Sequence, residues 1–284
     1  MSDTIRFLLG IDERALKGVS PTLTVLEYLR RHERLTGTKE GCAEGDCGAC
    51  TVVLAEPDGE GGLRHRAVNS CIQFVSVLHG RQLTAVEHVK AADGTLHPVQ
   101  QALVDKHGSQ CGFCTPGFVM QLYAGWLEGT LTSRQAVKDW LAGNLCRCTG
   151  YGPIVDAGVE AGEGPGPDRA AFMAIAEQLA GLTGGDMLHL VNGDAQVFAP
   201  RNADELAEVC AANPDAVIVA GATDVGLWVT KQHRALKTLI DVTRVKDLSR
   251  IAESDEGLTI GATTSHRDAT AALAALHRDL GELE

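Results

Sequence analysis

GCAEGDCGACTVVL, residues 41–54, sets three cysteines and three glycines into one short loop that runs directly into an apolar strand. Cys42, Cys47 and Cys50 must turn back toward a common point. Gly41, Gly45 and Gly48 suit that requirement, because glycine reaches tight and positive-φ turns at little steric cost. A fourth thiol, Cys71, follows after twenty residues. Outward from this loop, strands are expected at 5–9 and 15–19 with a turn around Asp12 and Glu13. A helix is expected at 24–31, the glycine-rich loop at 36–50, and further strands at 51–55, 65–69 and 82–86. Strands, a helix, a cysteine loop and more strands are the order of a β-grasp domain, here over 1–90.

A second quartet stands in QCGFCTPG (110–117) and NLCRCTGYG (144–152): Cys111, Cys114, Cys146 and Cys148. Each pair precedes a helical stretch. Thr115 is placed as N-cap with Pro116 at the first helical position. Helices are expected at 99–106, 116–127, 134–141 and 154–161, forming a four-helix-bundle domain over 91–164. The segment 165–190 is expected to be a linker. It starts within the loop-like GEGPGPD (162–168) and continues through a helix-like run at 170–182 and a glycine pair at 184–185. A third unit, 191–284, contains a strand-like run at 216–220, a glycine turn and a helical 225–230. The fold class is thus multidomain α+β, ending in part of an α/β domain.

The spacing Cys-x4-Cys-x2-Cys with a distant fourth cysteine is that of plant-type 2Fe–2S ferredoxins. Structural zinc usually takes two-residue pairs at both ends of its site, so zinc is the weaker alternative for the first quartet. The second quartet, Cys-x2-Cys and Cys-x-Cys separated by thirty-one residues, also suits a cluster, although CxxC pairs occur in zinc ribbons. Helix N-termini beside it would favour an anionic, thiolate-ligated group. Glu44 and Asp46 are taken as solvated turn residues. Two one-electron centres in tandem imply electron transfer.

The 284 residues are 44% hydrophobic and 22% charged, with a net charge of −12. No basic patch for nucleic acid or an anionic membrane is visible. No apolar run approaches the roughly 18 residues of a transmembrane helix. The start, MSDTIRFLLGIDERALK, lacks the basic n-region of a signal peptide, so a cytoplasmic location is expected. Clustered cysteines in that compartment are metal ligands more often than disulfides.

GCAEGDCGACTVVL, SQCGFCTPGFVMQLY and LAGNLCRCTGYGPI together resemble the iron–sulfur part of the molybdenum hydroxylases over about residues 5–161, with all eight ligand positions present. AGATDVGLWVTK (220–231), with its preceding strand, is similar to the first flavin-contacting loop of that family's FAD domain. Joined in this order, the segments resemble small iron–sulfur/FAD subunits of xanthine dehydrogenase type, and the resemblance implies several expectations. The two quartets would hold 2Fe–2S clusters. Val219, Ala220, Gly221, Ala222, Thr223, Asp224, Val225, Gly226 and Trp228 would contact FAD, mostly through the amides of 221–224. Gln110 would approach a molybdopterin carried by a partner large subunit, in an assembly of two small and two large chains.

Electrons would pass from purine oxidation on the partner to the helical quartet, then the first quartet, then FAD and NAD. Aldehyde or N-heterocycle substrates, and dioxygen as acceptor, stay open. The family's second flavin segment and following subdomain are not seen, so an incomplete FAD site of poor isolated affinity is expected. The family usually has arginine at the position of Gly152. Rival readings are a free-standing ferredoxin-like carrier and a zinc-bound interaction protein. Cys210 is expected to be a small buried residue, and Trp126 and Trp140 to be core. His65, His79, His88, His97 and His107 show no ligand spacing, and surface or capping roles are expected for them.

Overall fold

The computed structural model describes residues 1–255 and 257–276; Glu256 and 277–284, at the end of the third expected unit, lie outside them. Strands β1 (Thr4–Leu9) and β2 (Asp12–Lys17) precede α1 (Val25–Glu27), which continues as a wider π-type turn over Tyr28–His32. After the cysteine loop come β3 (Thr51–Pro57), β4 (Leu63–Asn69) and β5 (Gln82–Thr84). These strands form one mixed sheet in the order β2-β1-β5-β3-β4, with β1 and β5 parallel.

The apolar run in β3 is continuous because both faces of the sheet are covered. Val52 and Leu54 enter a core with Phe7, Tyr28 and Leu29. Val53, on the opposite face, joins the core of the helical unit, while Ala55 packs with Leu8 beneath a later helix.

The first turn differs from the expectation. Asp12 pairs with Leu9 and Glu13 with Leu8, so the hairpin turns at Gly10 and Ile11. Gly10, at φ +59°, supplies the positive φ that a two-residue hairpin favours. The edge strand β2 is mostly polar and exposed, which hid its start.

Helices α2 (Pro98–Asp105), α3 (Thr115–Glu128), α4 (Arg134–Trp140) and α5 (Gly152–Glu163) make the second unit. Phe118, Met120, Leu122, Val137 and Ile154 fill its centre. The N-cap of α3 is Cys114 rather than Thr115, and Gly129 closes the helix in the left-handed conformation at φ +69°. Glu128, at the end of α3, accepts at 3.0 Å from the His65 amide on β4, which ties this helix to the first sheet.

The 165–190 segment is more than a connection. It contains α6 (Arg169–Leu182), capped by Asp168. Ala176 and Leu179 are buried there against Leu8, Ala55 and Leu63 of the first sheet. Its last residues already belong to β6 (Leu188–Asn192), which the expected boundary at 191 cuts.

The remaining elements are β7 (Ala195–Ala199), α7 (Ala203–Ala212), β8 (Val217–Val219), α8 (Val225–Thr230), β9 (Thr238–Asp241), the hairpin β10 (Ile251–Ser254) with β11 (Gly257–Ile260), and α9 (His266–Leu276). The second sheet runs β6-β7-β9-β8. Leu188, Leu190, Val197, Val219 and Leu239 from this sheet share one core with Ile5, Phe7, Tyr28 and Leu78. The first and third units are therefore packed as one body. Cys210 is half-buried on α7, and Trp126 and Trp140 are half-buried beside the helical core. His97 caps α2, but His65 and His79 are buried, contrary to the expectation for them.

Candidate metal centres and the adjoining loop

The first quartet is assembled by the 41–50 loop and by the turn that follows β4. Gly45 (φ +85°), Gly48 (φ +68°) and Ala43 (φ +54°) supply the left-handed turns that fold the loop inward. The amides of Glu44 and Cys47 donate to Cys42 Sγ at 3.5 and 3.4 Å. A Cβ at Gly41 would stand 2.8 Å from Cys47 Sγ, so glycine keeps the space around the sulfurs open.

Cys42 lies beside Cys47, and Cys50 beside Cys71. Donation from Cys71 pulls the Cys50 thiol down to about 7, and the same contact pushes Cys71 up.

The second quartet repeats this pairing. Cys111 contacts Cys148, and Cys114 contacts Cys146. Burial, then the Cys146 contact, pushes the Cys114 thiol up to about 12. Thr149 Oγ1 lies 3.2 Å from Cys146 Sγ and accepts from the Tyr151 amide at 3.2 Å, while Tyr151, at φ +67°, accepts at its hydroxyl from the Cys146 amide at 3.0 Å.

Cys111 and Cys148 are exposed, as is Gln110. Phe113 and Leu145 beside them are 48% and 54% exposed. The second quartet therefore opens onto a surface carrying apolar side chains.

Each quartet holds four thiols as two contacting pairs. That arrangement fits a two-iron cluster, in which each iron takes two of the four cysteine thiolates. The backbone amides aimed at Cys42 would also tune such a cluster, because hydrogen bonds to the sulfurs help set its potential. Among the described residues, no group of three or more His, Cys, Asp or Glu is arranged around a single ion.

The two quartets meet through backbone. The Leu145 amide, adjacent to Cys146, donates to the Cys47 carbonyl at 3.0 Å. Buried Asn144 donates from Nδ2 to Gly48 O at 3.0 Å. Gly117, in the first turn of α3, is pressed against Gly48: a Cβ there would lie 2.2 Å from its carbonyl oxygen.

On its other side the first quartet meets α8. Gly226 packs on Ile72, where a Cβ would come within 2.7 Å of the Ile72 carbonyl. Leu227 joins Leu26, Cys50, Cys71 and Ile72 in one apolar group. Gln73 Nε2 donates to Gly221 O at 2.8 Å. Lys231 donates to the Cys42 carbonyl and pairs with Glu44 at 3.2 Å.

The 219–228 residues divide by environment. Gly221, Thr223 and Asp224 are exposed, and Ala220 with Gly221 lines a cavity of about 220 Å³. Val219, Ala222, Val225 and Trp228 pack on the shared core, and Gly226 packs on Ile72. Trp228 is also covered by the Arg234 guanidinium, 4.2 Å from its ring. Gly117, Asn144 and Leu145 lay inside quoted motifs and Ile72 outside them, but none had been given a role, because that role is close approach between segments, which carries no local signature. Lys231 lay inside a quoted motif without a role.

Comparison with known proteins adds identity to this geometry. Residues 11–76 match the 2Fe-2S iron-sulfur cluster binding domain, 85–158 the [2Fe-2S] binding domain, and 193–283 the FAD binding domain in molybdopterin dehydrogenase. A xanthine dehydrogenase of Drosophila subobscura is 35% identical over 304 residues, covering 93% of this chain and 23% of that protein. Aldehyde oxidase 1 of Cavia porcellus is also 35% identical, over 88% of this chain and 22% of its own length. The solved aldehyde oxidoreductase of Desulfovibrio gigas is 36% identical over 56% of this chain and 17% of that one, with a TM-score of 0.50. The chain spans under a quarter of the length of these curated relatives.

Proposed function

We propose that this chain, which joins the two 2Fe–2S domains and the FAD-binding domain of the molybdenum hydroxylase family, is the electron-transfer module of such an enzyme. Cys42, Cys47, Cys50 and Cys71 would hold one cluster, and Cys111, Cys114, Cys146 and Cys148 the other. The observation that carries the reading is the 3.0 Å hydrogen bond from the Leu145 amide to the Cys47 carbonyl, which links the two ligand segments. Bound clusters and FAD supply one-electron and combined one- and two-electron redox capacity, respectively.

In this reading the order follows from exposure. The exposed second quartet, with Gln110, Phe113 and Leu145, is assigned to face a molybdopterin-bearing partner or fused domain. The more buried first quartet lies between it and α8, where the exposed part of 221–224 would receive flavin. We read the first unit as a β-grasp domain and the second as a four-helix bundle. A Cβ at Gly152 meets nothing within 4 Å, so the glycine found there leaves room for the arginine usual in the family.

Xanthine and hypoxanthine as substrates, NAD as acceptor and a two-plus-two assembly complete the proposal. Aldehyde or N-heterocycle oxidation is the second reading, favoured by the similarity to aldehyde oxidases. Among the described residues, no helix is long and apolar enough to cross a membrane.

Co-expression with a molybdopterin-bearing partner tests this reading. Anaerobic addition of xanthine is expected to bleach the visible absorption of this chain, and NAD to restore it. Bleaching by aldehydes alone would move the assignment to the second reading. A partner that turns over substrate without any bleaching would contradict the module itself.

A further inference from the structure

A cavity of about 510 Å³ lies between the first sheet, the end of α6 and the turn after β9. Arg64, Arg66, Arg81, Arg201, Arg244 and Lys246 line it with two carboxylates, Glu56 and Asp58, while Asp268 pairs with Arg64 and Arg66 and Glu205 with Arg201. This concentration of positive charge sits on a chain whose net charge is −12.

Its walls are fixed in advance. Arg81 donates to Glu56 at 2.7 Å, to the Val77 carbonyl at 2.7 Å and to the Thr243 carbonyl at 3.2 Å. Buried Asp241 accepts from the Thr243 amide at 3.0 Å and from its hydroxyl at 2.7 Å. The turn bearing Arg244 is thereby clamped from both sides.

Three donors in these walls make no hydrogen bond, although Arg66 Nε lies 3.9 Å from Glu56 Oε1. Arg66 Nε, His79 Nε2 and Arg244 Nη1 are buried without a hydrogen bond. His79 is 1% exposed, and its Nδ1 accepts from the Arg6 amide at 3.1 Å. Burial, then the neighbouring Arg244, Arg6 and Arg81, pulls its pKa down to about 3. The ring is therefore neutral, with its proton on Nε2 as a donor. Buried donors left unpaired are costly, and they mark places where a bound group completes the structure.

We propose that this cavity binds a phosphate-class oxyanion, with Arg244, Arg66 and His79 as its donors. Guanidinium forks and an imidazole N–H offer hydrogen bonds that tetrahedral phosphate oxygens can accept. Glu56 leaves room for a hydrogen phosphate, whose own O–H can donate to a carboxylate. The cavity beside Gly221 shares Glu56, Arg66, Arg81, Thr243 and Ser249 with this one. Two sources therefore fit the same chemistry: free phosphate, and the phosphate of a nucleotide whose other end lies toward Gly221.

Equilibrium dialysis of the full chain against radiolabelled inorganic phosphate, in chloride at fixed ionic strength, tests the site. Saturable binding of about one phosphate per chain is expected, weakened about tenfold or more by Arg244→Met and less by Arg244→Lys. Lys246→Met, at an exposed position of the rim, is expected to weaken binding without affecting the fold. Far-ultraviolet circular dichroism confirms that each variant is folded. Unlabelled ADP then separates the sources: displacement of the label assigns the site to a nucleotide phosphate, and retention assigns it to free phosphate. Absence of saturable binding to the wild-type chain up to about 10 mM, the weak limit for a specific site, overturns the proposal. So does equal binding by wild type and a folded Arg244→Met.

Discussion

Replacing Cys71 by alanine is expected to lower the iron content of the purified chain from about four atoms to about two, with acid-labile sulfide falling in step. Cys71 is buried, in contact with Cys50, and follows directly from β4. Its loss removes one of four thiols from the first quartet and leaves Cys50 without its pair. The second quartet draws none of its ligands from this turn, so its iron stays. Cys210→Ala provides the contrast. That cysteine is half-buried on α7 beside the core of Phe198 and Val209, and its removal changes neither iron nor sulfide. Metal and sulfide assays on the two variants, with visible spectra, check both outcomes. Unchanged iron in Cys71→Ala would remove it from the ligand set.

Gly117→Val is expected to destabilise the chain by about 3 kcal/mol or more, at the upper end of what overpacking usually costs. Even the Cβ of valine would lie 2.2 Å from Gly48 O and 3.1 Å from Ala49 Cα. Neither neighbour is a flexible side-chain end, so α3 must move away from the cysteine loop. That displacement pulls on Cys114 at the N-cap of α3 and on the Asn144 bond to Gly48. Loss of stability should therefore be accompanied by weaker retention of iron at the second quartet. Gly112→Ala, where a Cβ meets nothing within 4 Å, carries only the backbone cost of φ +82°, about 1–2 kcal/mol. Urea unfolding followed at two wavelengths, with iron analysis, distinguishes the two substitutions.

The two 2Fe–2S domains were legible because cysteine spacing is a local property. Cys42, Cys47 and Cys50 converge only if their loop turns tightly, and the glycines that allow it stand in the same ten residues. Helices α2 to α5 were legible for a similar reason: their apolar stripes and the Cys114-Thr115-Pro116 start are contained in short windows. Placement failed where the deciding partner was remote. The hairpin turn was misplaced because β2 is a charged edge strand and Gly10 alone marks the bend. The 165–190 segment looked like a tether because Ala176 and Leu179 gain meaning only against Leu8, Ala55 and Leu63. His79 gave no sign of burial, since the core that encloses it comes from two sheets. The arginine cavity was invisible for the same reason, with its walls drawn from residues as far apart as Glu56 and Ser249. The link between quartets is a backbone bond from Leu145 to Cys47, to which no side-chain pattern points.

That link gives the account its central claim: this one chain holds two adjacent 2Fe–2S clusters on eight cysteines. Electron paramagnetic resonance of the chain after anaerobic reduction with dithionite tests it most directly. Two distinct signals integrating to about two unpaired spins per chain, broadened by each other, are predicted. A single signal of about one spin, or a colourless, signal-free protein containing zinc, would contradict it.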